Sequence, residues 1–308
     1  MTAIPDTGPD TPAPATAAAD RPPGRRPPLR FPLVWVGIVP FMAFALLFLL
    51  LPTFYIVLAA FRTAQGEVTL DNIRNLFQPS ILAAYWISIR ISLISAALGC
   101  LIGLVVAAAV VLGDLPKWLR GPVMTFSGVA SNFAGVPLAF AFLATLGRVG
   151  LVTILLRDWF GINIYAMGFN LLSFWGLVLV YLFFQIPLMV LIITPALDGL
   201  RREWREAAST LGATGGQYWR MVALPILFPS LLGCFALLFA NAFGAVATAY
   251  ALAPTISIVP ILLFNQIRGD VLNDPHLGYA LAFGMIVITA IANGIYIWLR
   301  IRSERWLK

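Results

Sequence analysis

Residues Asp198 to Pro225 read DGLRREWREAASTLGATGGQYWRMVALP, a long charged interval between two strongly apolar segments. Trp204, Ala207, Ala208 and Leu211 recur at three-four spacing with Arg and Glu between them, which predicts a short helix over Leu200 to Leu211 with an apolar stripe for a partner. Arg202 and Glu206 stand four apart with Arg205 beside Glu206, so ion pairs of about 0.3 to 0.5 kcal/mol are expected on the exposed side. Gly212 should stop the helix, because glycine takes the left-handed conformation of a C-cap. A second helix is expected from about Gly216 to Ala223, and Leu224-Pro225 should mark a turn back toward the apolar chain. The expected product is a helix-break-helix knob carried between two apolar spans.

Within this knob, Glu206-Ala207-Ala208, then Gly212 four residues after Ala208, then Val222-x-Leu224-Pro225 match the EAA loop in spacing. On these residues the chain resembles permease subunits of binding-protein-dependent ABC importers, and its overall text is most similar to the spermidine/putrescine type. Val222 stands where that family more often has isoleucine. The resemblance covers about residues 35 to 305 and implies an all-α membrane protein with six transmembrane helices, the type I ABC importer permease fold. It implies that Arg202, Arg205, Glu206, Ala207, Ala208, Gly212, Leu224 and Pro225 form the loop that docks in a cleft of an ABC ATPase subunit. Small alanines there would let the two surfaces approach closely. Further implied partners are a second permease subunit, identical or not, and a periplasmic or lipid-anchored solute-binding protein.

Composition agrees with a bilayer. Of 308 residues 60% are hydrophobic and 11% charged, too few charges to cover a soluble globule of this size. A net charge of +7 would raise nucleic acid as a partner, but the basic residues cluster at the ends of apolar runs, as membrane topology requires. Nucleic acid is therefore not expected. Cys100 and Cys234 each sit inside an apolar run and give neither a disulfide framework nor a metal site.

Residues 1 to 32 contain nine prolines and almost no large apolar side chain, which predicts a disordered tail ahead of a permease domain over 33 to 308. A span needs about 20 apolar residues, and six runs qualify: roughly 33 to 61, 84 to 112, 121 to 146, 171 to 197, 226 to 250 and 279 to 301. The first is much longer than a signal-peptide core. Fourteen basic residues fall on one side: Arg21, Arg25, Arg26, Arg30, Lys117, Arg120, Arg201, Arg202, Arg205, Arg220, Arg300, Arg302, Arg305 and Lys308. Five fall on the other: Arg62, Arg74, Arg148, Arg157 and Arg268. That imbalance places both termini and the Glu206 loop in the cytoplasm of a multi-pass inner-membrane protein.

Ser88, Ser92, Ser95, Gly99 and Gly103 make a small, slightly polar stripe on the second span, which should face another helix or the pathway. Ser127, Ser131 and Gly135 repeat the device, and Pro187 and Pro195 are expected to interrupt the fourth span. The segment 147 to 170 should be a periplasmic connection with room for an amphipathic helix, and 251 to 278 a loop on the same side, where lone His276 reads as a surface residue.

Arg90 is the clear ionisable residue within a span, about six residues or roughly 9 Å deep. It either snorkels to the outer interface or attracts an anionic group on a solute, and the second role sits awkwardly with a polyamine. Asn132, Gln185, Asn241 and Asn293 either line a path or bond between helices. No Gly-Lys pair exists for a phosphate loop, since Lys117 follows Pro116 and Lys308 follows Leu307. No cofactor or enzymatic set is expected, so ATP hydrolysis would belong to another polypeptide. A secondary transporter or channel is the alternative, and the lack of acidic or histidine groups in the spans counts against it.

Overall fold

The computed structural model describes residues 31–63, 65–113, 116–268 and 274–304. The predicted tail, with Arg21, Arg25, Arg26 and Arg30, lies outside them, as do Asp270, Arg305 and Lys308. The chain divides into two units, residues 1–52 and 53–308. The described part of the first is helix α1 (Phe31–Ala45) and a π-helical turn at Leu46–Leu50. Helix α2 (Leu51–Ala60) straddles the boundary.

The second unit is all helical, with one isolated bridge from Arg62 to Val68. After the short α3 (Asp71–Asn75) come α4 (Pro79–Leu112), α5 (Lys117–Asn132), α6 (Val136–Leu146), α7 (Leu151–Phe160) and α8 (Phe174–Asp198). Then follow α9 (Arg202–Thr210), α10 (Gly215–Tyr218), a π-turn at Trp219–Ala223 and α11 (Leu224–Phe243). Helices α12 (Val246–Leu252), α13 (Val259–Arg268) and α14 (Pro275–Glu304) complete the chain. Among the described residues, six segments are long and apolar enough to cross a membrane: Gly37–Ala60, Pro79–Leu112, Val136–Phe160, Phe174–Asp198, Gly215–Phe243 and Pro275–Ser303.

Helix α8 sits at the centre, packed by α4, α5 and α11. The small-residue stripe on α4 explains the closest of these contacts, since Ser88, Ser92, Ser95, Gly99 and Gly103 are all buried. A methyl group on Gly103 would lie 2.5 Å from Met189 Cβ, and one on Gly99 3.0 Å from Gln185 Cβ. Only hydrogen at these positions lets the two backbones approach so closely. Ser88 Oγ donates to the Ala84 carbonyl at 2.8 Å and accepts from the Val259 amide at 2.9 Å, which ties α13 to α4. One apolar core spreads from this region across α11 and α14; another lies between α6, α8 and α12.

Four expectations about the spans need correction. The run 121 to 146 is not one helix, because Gly135 takes φ +78° and the chain breaks at Phe133–Gly135 between α5 and α6. The corresponding span-length segment starts later, at Val136, and takes in α7 after a turn at residues 147–150. Pro187 and Pro195 do not interrupt the fourth span, since α8 runs unbroken through both; packing by its neighbours holds the helix despite two missing amide donors.

Leu224-Pro225 does not turn the chain either. Pro225 has no amide for the Met221 carbonyl, and the helix accommodates it by widening into the π-turn, where the Leu224 amide donates to the Trp219 carbonyl. The same device precedes Leu51-Pro52, where the Leu51 amide reaches the Leu46 carbonyl. Finally, the fifth run begins at Gly215 and stops at Phe243, with Gly244–Ala245 separating it from α12. The expected loop over 251 to 278 contains a further helix, α13, whose Val-Pro start and short length hid it. The expected amphipathic helix in 147 to 170 is α7.

Candidate coupling loop and pathway residues

Helix α9 forms where the spacing placed it and ends in a Schellman cap. The Ala213 amide donates to the Ala208 carbonyl at 3.0 Å and the Gly212 amide to the Ser209 carbonyl at 3.0 Å, with Gly212 at φ +78°. Two residues after Gly212 a capping box starts α10: the Thr214 amide donates to Gln217 Oε1 at 2.7 Å, and the Gln217 amide to Thr214 Oγ1 at 3.4 Å. Each end of the break is therefore closed by its own hydrogen bonds.

The predicted apolar stripe of α9 divides in two. Trp204 and Ala208 are half-buried against the core that holds Leu200, Tyr218 and Ala223, so they anchor the loop to its own chain. Arg201 lies over the Trp204 ring at 5.9 Å, a further tie. Ala207 and Leu211 remain exposed, Leu211 at 88%, beside exposed Arg202, Arg205, Glu206 and Gly212. Met221, 73% exposed, adds an apolar side chain to the loop's surface.

The expected pair of Arg202 and Glu206 does not form. The ion pairs among the described residues are Arg120–Asp198 and Arg157–Asp158. Separately, Ser209 Oγ and Thr210 Oγ1 donate to the Glu206 main-chain carbonyl, both at 2.7 Å. The carboxylate of Glu206 and the guanidinium groups of Arg202 and Arg205 are left facing solvent. Leu224 and Pro225 lie past the π-turn as exposed residues within the continuous helix.

The polar residues considered for a pathway fall in different places. Gln185 is wholly buried between α8 and α4, where Nε2 donates to Ser95 Oγ at 3.0 Å and Oε1 has no protein partner. It bonds between helices. Asn132 and Asn241 are both exposed, and each precedes a helix break, Phe133–Gly135 or Gly244–Ala245. The two breaks are tied to neighbouring elements: the Gly135 amide donates to Thr248 Oγ1 of α12 at 2.7 Å, and the Tyr181 hydroxyl of α8 donates to the Ala245 carbonyl at 2.9 Å. Asn293 Nδ2 donates to the Thr289 carbonyl of its own helix at 2.9 Å.

Arg90 is exposed, with its guanidinium 5.4 Å from the Phe174 ring at the start of α8. Because α4 begins at Pro79, Arg90 is deeper in its helix than expected, yet its head reaches the level where α8 starts. Such a reach is what a long cationic side chain makes toward an interface.

A family model described as the binding-protein-dependent transport system inner membrane component matches residues 99–305. The chain belongs to this family, and it is a multi-pass ABC importer permease subunit. Three curated relatives show the range. The probable sulfate transport system permease protein cysT of Anthoceros angustus is 28% identical over 62% of this chain, and the match spans only 65% of that protein. The inner membrane ABC transporter permease protein YdcU of Escherichia coli K12 is 29% identical, over 85% of this chain and 84% of its own length. The molybdenum transport system permease protein ModB of Mycobacterium tuberculosis is 26% identical, over 69% and 77%.

Among solved structures, a bacterial ABC transporter for import of the acidic polysaccharide alginate superposes with a TM-score of 0.67 at 19% identity, covering 90% of this chain and 96% of that one. An inward-facing form of the MetNI methionine ABC transporter gives 0.55 at 14%, covering 72% and 95%. These likenesses carry the fold. The spermidine/putrescine-type likeness is the part of the sequence reading that the comparisons do not support, since two of these relatives are named for sulfate and molybdenum and the third, YdcU, for no solute.

Proposed function

We propose that this subunit forms half of a dimeric translocation core for a small anionic solute, driven by ABC ATPase subunits that grip α9 and α10. The observation that carries the coupling role is the division of the α9 stripe. One half is locked into the core through Trp204 and Ala208, while Glu206, Ala207 and Leu211 stay uncovered on a doubly capped frame. A push on that uncovered face crosses the capped break at 211–214 and enters α10, which runs through the π-turn into α11 as one continuous helix. The excess of basic residues in the loops on this side supports a cytoplasmic position for this face and both termini. A solute-binding protein would dock on the opposite side; the similar alginate transporter has been solved in complex with an alginate pentasaccharide-bound periplasmic protein.

Support for an anion comes from two directions. No Asp or Glu lies in the interior of α4, α6, α8, α11 or α14, so a polycation would meet no compensating charge along them. Relatives named for sulfate and molybdenum point the same way. Reversing Glu206 to Lys should leave the assembled permease intact and cut co-purification of the ATPase at least about tenfold, a loss typical of removing a hydrogen-bonded interfacial charge. An ATPase that stays bound to the Glu206→Lys permease, or full transport by the chain in vesicles with no ATPase, would sink the proposal. Proteoliposome uptake of labelled sulfate and molybdate against spermidine separates the solute classes.

A further inference from the structure

The ion pair at the base of the loop does more than decorate the surface. Arg120 Nη2 lies 2.6 Å from Asp198 Oδ2, with the side chains 44% and 45% exposed. Asp198 is the last residue of α8 and Arg120 the fourth of α5. Each charge stands at the wrong end of its own helix. A carboxylate is disfavoured beside the C-terminal carbonyls and a guanidinium beside the N-terminal amides, so neither position helps its helix alone. They offset one another only while the two helix ends stay together.

Those ends are mechanically special. From Asp198 only Gly199, Leu200 and Arg201 separate α8 from α9, so the pair fastens the root of the loop to α5. At its far end α5 carries Asn132 and the break at Phe133–Gly135, where the Gly135 amide is held by Thr248 of α12. Helix α5 is thus a strut between the loop and an interrupted, polar part of the membrane region. Half-exposure means water can replace the pair when the ends separate, at little cost.

We infer that Arg120 and Asp198 form a reversible latch that holds the permease in its resting arrangement until the ATPase pulls on α9. This rests on the coupling role proposed above. Its loss shifts the resting population toward the state that hydrolyses ATP without solute.

The test uses the assembled importer in proteoliposomes, without binding protein, with complex yield recorded for every variant. Arg120→Gln and Asp198→Asn should each raise basal ATP hydrolysis about fivefold, which corresponds to roughly 1 kcal/mol. The exchanged pair Arg120→Asp with Asp198→Arg should return hydrolysis close to the original rate. Independently, joining Arg120→Cys to Asp198→Cys with a short bis-methanethiosulfonate should stop ATP-driven uptake, and reductant should restore it. Basal rates unchanged in both single variants, or uptake continuing through the cross-linked protein, would overturn the latch. In either case an ATPase still bound and coupled in the unaltered importer leaves the coupling role standing, whereas an unaltered chain that binds no ATPase removes both.

Discussion

The α4–α8 interface and the α9–α10 loop both depend on small residues, but one is closed within the chain and the other is left open. A carbon added at Gly103 would stand 2.5 Å from Met189 Cβ and one at Gly99 3.0 Å from Gln185 Cβ, so the facing side chain would have to shift at either position. Around Gly212, Gly215 and Gly216 a methyl group would meet nothing within 4 Å. Size alone therefore does not distinguish a packing glycine from a surface one. What distinguishes them is the backbone: the α4 glycines are ordinary helical residues placed for close approach, whereas Gly212 takes φ +78° to end a helix. The first surface is filled by the protein itself, and the second leaves Ala207 and Leu211 uncovered.

The largest expected effect attacks the closed surface. Gly103→Val would drive new carbons into fully buried Met189 and should cost about 3 kcal/mol or more, beyond the usual range for overpacking because the neighbour is confined. Loss of folded, monodisperse protein in detergent is the readout, and a variant that purifies normally would mean that the interface can open. On the open surface, Gly212→Ala forces a left-handed conformation on alanine at about 1 to 2 kcal/mol. Because the exposed break can relieve that strain by opening locally, thermal stability of the whole protein should fall only slightly, while proteolysis between α9 and α10 increases and coupled transport drops several-fold. An equal loss at both sites would erase the distinction between them. The smallest effect belongs to Gln185→Leu, which removes one interhelical hydrogen bond and should cost about 0.6 kcal/mol. Its unpartnered Oε1 also disappears, so a denaturation midpoint that rises would show the buried amide to be kept for something other than stability.

Much of this was legible in advance because it is local. The helix at Arg202–Thr210 follows from three-four spacing, and its stop follows from the single residue able to hold φ +78° cheaply. The stripe of Ser88 to Gly103 announced a close helix contact for the same reason of periodicity. Less legible was what each surface touched. Trp204 and Leu211 belong to one sequence stripe, yet one packs and the other does not, because the neighbouring α10 covers only part of α9. Arg120 and Asp198, 78 residues apart, read as ordinary flanking charges until the folding of α5 against α8 brought them to 2.6 Å.

Prolines made the same point in reverse. Pro187, Pro195 and Pro225 are local signals for interruption, and none of them ends a helix. Gly135 and Gly244, less conspicuous in the text, mark the breaks that exist.

By itself the sequence determined the number of apolar spans, the all-helical class, the position of the charged loop and its glycine stop, since bilayer thickness and backbone sterics act on neighbouring residues. Tertiary structure alone decided where the third span is broken, which half of the α9 stripe stays exposed and which charges pair across the root of the loop. Those outcomes depend on contacts between distant segments, and a missing amide or a bare glycine acquires its consequence only from the helix that packs beside it.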